Sequence, residues 1–235
     1  MKRTFVTSDT HGCYLQLHNC LVQANFDYDE DTLIHCGDIV DRGPDSKKVI
    51  DLLLQIKNLV ALRGNHDEWM LEWINTGFHP GNWGHGGSAT ILSYIEPGED
   101  KMIDIPETHK EFFRNQQKYY IDDQNRFFVH AGYNRDYLVD LQHESTFYWD
   151  RHLVMEMMST SDDVKKMWDA NDFSRVFFGH TPTINWKDKN GKPKTLPIYK
   201  AQYVQIDTGG CFKQFEGKIT LLDITDDANH ILYQS

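Results

Sequence analysis

At 235 residues the chain is long for one average domain and short for two, so we expect one domain over residues 1–235. The formal net charge of −11 argues against binding to duplex nucleic acid, whose phosphates require a basic surface. A small phosphate ester is not excluded, because metals and a few arginines can meet its charge locally. No stretch approaches the ~18–20 apolar residues of a membrane span, and the N-terminus lacks the apolar core of a signal peptide. We therefore expect a cytoplasmic protein with reduced cysteines, no membrane partner and no obligate protein partner.

The first third of the chain alternates short apolar runs with helically spaced apolar residues. Strands are predicted at 3–8, 32–36 and 59–62, and helices at 13–24, at 44–57 and after Asn65, which is placed to cap the third helix. This alternation indicates a parallel sheet. Ligands bind at the carboxyl ends of the strands in such sheets, and the first polar motifs lie there.

The remainder of the chain is less regular. We predict an irregular loop at 79–87, a strand at 126–129 ending at His130, helices near 148–158 and 162–171, a strand at 175–178 leading to His180, and an antiparallel meander from 203 to 232.

Five polar motifs each follow an apolar run. They are Asp9-Thr10-His11-Gly12, Gly37-Asp38-Ile39-Val40-Asp41-Arg42-Gly43, Arg63-Gly64-Asn65-His66-Asp67, Val129-His130-Ala131-Gly132 and Phe178-Gly179-His180-Thr181. Each alone is more often a surface turn, a helix cap or a satisfied core histidine. Together they supply two carboxylates, an amide and three imidazoles: Asp9, His11, Asp38, Asn65, His130 and His180. This donor set suits Mn, Fe or Zn and predicts two cations ~3.5–4 Å apart that share a hydroxide.

Three further side chains in these motifs are not needed as metal ligands and are candidates for catalysis or phosphate binding. His66 follows the predicted ligand Asn65 and could protonate a leaving oxygen as a general acid. Asp41 could hold that imidazole, and Arg42 offers a planar fork for phosphate oxygens. The alternative for Asp41 and Arg42 is a mutual or surface ion pair.

These residues resemble the PPP-type serine/threonine protein phosphatases, within the calcineurin-like metallophosphoesterases, and most of all the compact bacterial and bacteriophage members of the phage lambda type. The resemblance spans residues 4–224. It implies an α/β fold, an α/β/β/α sandwich with mixed central sheets and helices on both outer faces. It also implies two divalent metal ions, usually Mn²⁺, with Fe or Zn as alternatives.

The resemblance assigns a role to each residue of the site. It places the first metal on Asp9, His11 and Asp38, and the second on Asp38, Asn65, His130 and His180. It makes His66 the proton donor with Asp41 as its partner, and Arg42 a phosphate ligand. Trp149-Asp150-Arg151 fits a family pattern in which the arginine also grips phosphate, so Arg151 is the second phosphate ligand; a salt-bridged helix start is the alternative.

Two other features bear on the resemblance. The stretch 83–87 resembles a glycine-pair loop of the small family members, and we interpret it as a substrate-side wall. Asp67 replaces the glutamate usual in phage and eukaryotic members, and we expect it to cap or brace the following helix.

Four functions compete. The first is a metal-dependent phosphatase that acts on phosphoserine, phosphothreonine or also phosphotyrosine in a phosphorylated protein, or on a small phosphoester, by direct attack of a hydroxide held by the two metals. The second is a symmetrical bis(5'-nucleosyl)-tetraphosphatase, a related class that typically has alanine where this chain has Asp41; the aspartate favours the phosphatase. A DNA-repair type phosphodiesterase is disfavoured because Pro182 interrupts the Gly-His-x-His pattern of that class. A metal-free scaffold is disfavoured because every ligand is present.

Overall fold

The computed structural model describes residues 2–81, 83–95 and 103–235. Within these residues the chain forms two five-stranded sheets. The first sheet has the order β10-β9-β1-β2-β3, and the second has the order β4-β5-β6-β8-β7. The strands are β1 (Thr4–Thr7), β2 (Thr32–His35), β3 (Asn58–Ala61), β4 (Tyr119–Ile121), β5 (Arg126–Val129), β6 (Arg175–Phe178), β7 (Ile198–Lys200), β8 (Tyr203–Gln205), β9 (Thr220–Asp223) and β10 (Ile231–Gln234).

The helices cover the outer faces of the sheets. They are α1 (Tyr14–Gln23), α2 (Ser46–Leu53), α3 (Asn65–Thr76), α4 (Gly87–Ser93), α5 (Glu107–Asn115), α6 (Glu144–Trp149) and α7 (His152–Ser159). Among the described helices, none is both long enough and apolar enough to cross a bilayer.

The first sheet confirms the parallel arrangement predicted from the N-terminal third. β1 pairs with β2 and β2 with β3 in parallel register, so that Thr7 lies beside His35 and His35 beside Ala61. All three strands therefore end at the same sheet edge, and the loops that carry the first three motifs leave from it.

The prediction of one antiparallel meander from 203 to 232 was wrong about which strands pair. β8 lies between β6 and β7 and pairs in parallel with β6, whereas β9 and β10 are antiparallel strands of the other sheet. Short apolar runs indicate a strand but not its partner. Tyr203, Val204 and Gln205 are all buried, as expected for an internal strand.

The predicted helices at 148–158 and 162–171 were also inaccurate. The first is interrupted at Asp150 and Arg151, which separate α6 from α7. The Asp150 carboxylate accepts a hydrogen bond from the backbone N–H of Leu153. The second has turns at its two ends and irregular backbone between them instead of a helix. Tertiary acceptors capture its backbone donors, as in the 2.8 Å bond from Met167 N–H to the Gln202 side chain.

Three apolar layers hold the four-layer structure together. One lies between the first sheet and its helices and one between the second sheet and α6–α7. The third lies between the sheets, where the rings of Phe128 and Phe177 stack 5.1 Å apart. Burying a side chain of that size contributes ~1.5–3 kcal/mol. This is the predicted α/β/β/α sandwich, with the loops at its sheet edge fixed by packing beneath them.

Candidate metal centre

The carboxyl ends of five strands converge on one buried cluster. β1 leads to Asp9 and His11, β2 to Asp38, β3 to Asn65, β5 to His130 and β6 to His180, and all six residues are at least 93% buried. Four of them, Asp9, His11, Asp38 and His180, have φ values between 44° and 67°. Non-glycine residues rarely adopt this left-handed conformation, and it is concentrated at functional sites. The structure thus brings together the six residues that the sequence singled out.

The loops of the first sheet are tied to one another. The Asp67 carboxylate accepts backbone hydrogen bonds from Asp38 (2.9 Å), Ile39 (2.9 Å) and Gly64 (3.0 Å). It therefore braces the β2 and β3 loops together, which is more than the helix cap expected from the sequence. Gly64 is required here because a Cβ would lie 2.1 Å from a carboxylate oxygen of Asp38.

Potential ligand atoms form two groups that share Asp38. In one, Oδ2 of Asp38 lies 3.6 Å from Nε2 of His11 and 4.0 Å from Nε2 of His66. In the other, Nε2 of His130 lies 3.4 Å from Oδ1 of Asp38 and 3.1 Å from Nδ1 of His180. Oδ1 of Asn65 joins the second group, 3.2 Å from the same nitrogen of His130. Asp38 is thus positioned to bridge two cations.

The histidines present unprotonated nitrogens to these groups. Nδ1 of His11 bonds the carbonyl of Val40 at 2.8 Å, and Nδ1 of His130 bonds the carbonyl of Cys36 at 2.9 Å. A carbonyl only accepts, so each Nδ1 carries the proton and each Nε2 keeps its lone pair. Burial is the main cause that lowers the pKa of His11, His130 and His180, which keeps these imidazoles neutral. Metal ligation requires neutral imidazoles.

Asp9 occupies the floor of the site and belongs to neither group. Its carboxylate accepts the backbone N–H of His180 at 3.0 Å and the hydroxyl of Ser8. Burial, followed by the charges of Asp207 and Asp38, raises its pKa well above the usual value. Its assignment as a ligand of the first metal stays a prediction.

Asp207 is a buried acid of the site that the sequence reasoning missed. It follows β8 at the same sheet edge, and burial raises its pKa to about 7. Asp207 could have been found from the sequence because, like the five motifs, it follows an apolar run. Buried carboxylates crowded in this way require positive charge nearby. Ligand atoms of Asp38, His130 and His180 lie within 4.8 Å of one another and all three residues are buried, so the donor set fits divalent metal.

His66 and Asp41 form a close pair beside the metal ligands. Nδ1 of His66 lies 2.6 Å from Oδ2 of Asp41, and both side chains are buried. The same carboxylate accepts hydrogen bonds from Nε1 of Trp83 and the hydroxyl of Thr90, each at 2.6 Å. The predicted pairing is present, and the alternative of a surface ion pair between Asp41 and Arg42 is not what the geometry shows.

The two arginines border a cavity of about 570 Å³ that opens over the ligands. Arg42 donates to Nε2 of His11 at 2.7 Å, and its second terminal nitrogen lies 3.1 Å from Nε2 of His66. Arg151 enters from the second sheet, and its Nη1 donates to the hydroxyl of Thr181 at 2.7 Å. Both guanidinium groups can therefore reach an anion in the cavity.

An aromatic rim surrounds the cavity mouth, formed by Trp69, His85 and Trp149. The rings of Trp69 and Trp149 meet edge to face 5.3 Å apart, and Trp69 also lies 4.9 Å from the ring of His66. His85 lies nearly parallel to Trp69 at 6.3 Å. The sequence placed His85 in a substrate-side wall, but it did not indicate that Trp69 and Trp149 join it, because the three residues come from separate segments.

Comparison with known proteins agrees with this geometry. A family model described as calcineurin-like phosphoesterase matches residues 2–183. The chain belongs to this family. It is a metallophosphoesterase, a hydrolase whose relatives use divalent metals.

Relatives of this chain carry different substrate names. It is 25% identical over 234 residues to serine/threonine-protein phosphatase 1 of Salmonella typhimurium, covering 95% of this chain and 92% of that protein. It is 26% identical over 232 residues to the asymmetrical bis(5'-nucleosyl)-tetraphosphatase PrpE of Bacillus cereus, covering 92% and 87%. The structure of a cold-active protein-tyrosine phosphatase of Shewanella matches with a TM-score of 0.61 at 14% identity, over 100% of this chain and 81% of the other. The last likeness concerns the fold alone.

Proposed function

We propose that this metallophosphoesterase is a phosphoprotein phosphatase that hydrolyses phosphoserine and phosphothreonine esters. The observation that carries the proposal is the 2.6 Å contact between His66 and Asp41 at the edge of a buried metal-ligand cluster. A serine or threonine alkoxide is a poor leaving group and needs a proton, which a paired histidine supplies. The substrate is a phosphorylated protein or a small phosphoester, and no duplex nucleic acid, membrane or obligate partner is needed.

Two divalent cations complete the proposed site. The first would be held by Asp9, His11 and Asp38, and the second by Asp38, Asn65, His130 and His180. Mn²⁺ is the expected metal, with Fe or Zn as alternatives. When bound, such a pair activates water as the nucleophile and neutralises charge on the phosphoryl oxygens.

The chain's own residues divide the remaining work. Arg42 and Arg151 hold the phosphoryl oxygens from two sides of the cavity, with the planar donor geometry suited to phosphate. His66 donates a proton from Nε2 to the leaving oxygen, because its Nδ1 is turned toward Asp41. Asp41 keeps the imidazole in that orientation.

A second candidate is a bis(5'-nucleosyl)-tetraphosphatase, for which the symmetrical enzymes are our alternative. The rim of Trp69, His85 and Trp149 favours it, since a nucleobase can stack on such rings. The likeness to the asymmetrical tetraphosphatase of Bacillus cereus is as extensive as that to the protein phosphatase. Asp41 weighs against it, because a phosphate leaving group needs no protonation at neutral pH.

The deciding experiment compares turnover of phosphoserine and phosphothreonine peptides with turnover of diadenosine tetraphosphate, with the same enzyme and Mn²⁺. We expect kcat/KM to be higher on the peptides. A large excess on the dinucleotide would overturn the phosphatase proposal and select the second candidate. The variant Trp149→Ala tests whether a nucleobase stacks on the rim. Loss of stacking should lower affinity for the dinucleotide more than for a peptide.

A further inference from the structure

The glycine-pair loop reaches beneath the acid pair instead of only bordering the cavity. Gly84 and His85 do line the cavity, as a substrate-side wall would. Trp83 in the same loop turns inward, is 1% exposed, and donates from Nε1 to Oδ2 of Asp41. Thr90, one turn into α4, is fully buried and donates to Oδ1 of the same carboxylate.

Thr90 holds Asp41 at two points. Its hydroxyl donates to the carboxylate at 2.6 Å and accepts the backbone N–H of Asp41 at 2.8 Å. Asp41 itself has φ of 76°, a conformation that a non-glycine residue keeps only when its surroundings fix it. The threonine thus fixes both the backbone and the side chain of the residue.

Gly86 and Gly87 allow the loop to pack closely against Trp83 and the backbone of Arg42. A Cβ on Gly87 would lie 2.6 Å from the indole of Trp83, and a Cβ on Gly86 would lie 2.5 Å from the backbone nitrogen of Arg42. Gly86 also accepts a hydrogen bond from that nitrogen at 3.3 Å. One loop therefore touches the backbone of a phosphate ligand and the side chain that holds the proton donor.

We propose that Trp83 and Thr90 are positioning residues for proton transfer, acting on His66 through Asp41. The inference rests on the proposed function of His66 as general acid. Three donors approach the carboxylate of Asp41, and together they prevent its rotation. Removal of one lets the carboxylate turn and the imidazole leave its orientation toward the leaving oxygen. A positioned general acid contributes about 10²–10⁴-fold, so loss of one of the groups that hold it should remove part of that factor.

The test compares two esters that differ in their need for a proton. Trp83→Phe and Thr90→Val should lower kcat on a phosphoserine peptide by about 10–100-fold, part of the contribution of a positioned general acid. Turnover of p-nitrophenyl phosphate should fall less than about threefold, because its leaving group needs little protonation. Thr90→Ser keeps the hydroxyl and should restore both rates. Trp73→Phe is the matched control, because Trp73 packs on Trp83 at 5.4 Å and makes no hydrogen bond to Asp41.

A merely structural role predicts a different pattern. Equal losses on the two esters, or no rescue by Thr90→Ser, would overturn the inference while the wild type still hydrolyses both. In the background Asp41→Asn, Trp83→Phe should cause little further loss on the peptide, since both changes act on one unit; full additivity would also overturn it. Wild-type enzyme that turns over neither ester with Mn²⁺ would overturn the proposed function and this inference together. Thermal unfolding of each variant identifies losses that come from instability.

Discussion

The two sheets contribute unequally to the site. The loops of the first sheet supply most of the proposed metal ligands. They also supply three of the four residues proposed for proton transfer and phosphate binding, namely His66, Asp41 and Arg42. The second sheet supplies two neutral imidazoles and Arg151. The loops of the first sheet are joined by Asp67. The second sheet meets them through hydrogen bonds that include those from His180 N–H to Asp9 and from Nδ1 of His130 to the carbonyl of Cys36. In the proposed mechanism, proton transfer thus involves residues of one half of the fold, whereas metal binding requires both.

The largest effect should come from the residue that both ligand groups share. Asp38→Asn removes the bridging charge and should lower kcat by about 10⁴-fold, near the upper range for a single group. Bound Mn²⁺, measured by elemental analysis after gel filtration, should fall by at least one ion per chain. Full metal content together with wild-type turnover would refute the proposed division between the sheets.

His66→Asn should separate proton transfer from metal binding. We expect a loss of about 10²–10³-fold in kcat on a phosphoserine peptide, with a smaller loss on p-nitrophenyl phosphate. Metal content should be unchanged, because His66 is proposed as an acid and not a ligand. This measurement matters because Nε2 of His66 lies only 4.0 Å from Asp38. Loss of one metal ion in the variant would instead make His66 a ligand.

Arg151 tests the contribution of the second sheet to phosphate binding. Arg151→Lys keeps the charge but removes the planar fork, so kcat/KM should fall by about tenfold. Lys200→Arg is a suitable control, because Lys200 lies on β7 and bonds backbone carbonyls of Met158 and Thr160. An unchanged kcat/KM for Arg151→Lys would leave Arg42 as the phosphate ligand of the site.

The smallest effects concern an ion pair beside each sheet. Asp31 is buried and accepts from Arg3 at 2.6 Å, whereas the side chain of Asp227, paired with Arg175, is 38% exposed. Asp31→Asn should therefore lower the free energy of unfolding by about 1–2 kcal/mol, and Asp227→Asn by less than about 0.5 kcal/mol. Urea unfolding at neutral pH measures both. Equal values would show that burial does not distinguish the two pairs.

The pH dependence of the Asp31 pair has a definite sign. Burial alone raises the pKa of Asp31, but hydrogen bonds and the charge of Arg3 outweigh it and hold the pKa below the usual value. The contribution to stability is therefore present at neutral pH and is lost as the pH falls through the folded-state pKa, below about 4. Urea unfolding of wild type and Asp31→Asn should accordingly converge in strong acid.

Prediction from the sequence succeeded best where spacing alone carries the information. The strands β1, β2, β3, β5 and β6 were predicted within a few residues, because each is an apolar run that ends at a polar motif. It failed at 162–171, where tertiary hydrogen bonds override the helical spacing, and in the pairing of β8, which depends on its neighbours and not on its own residues.

The sequence by itself determined the family and the set of candidate ligands, because those depend on residue identity at fixed spacing after a strand. The tertiary structure decided which groups meet. The positions of Trp83 and Thr90 beneath Asp41, of Asp207 beside Asp9, and of the aromatic rim depend on contacts between segments far apart in the chain. Such contacts leave no local pattern, because the packing of the two sheets and their loops creates them.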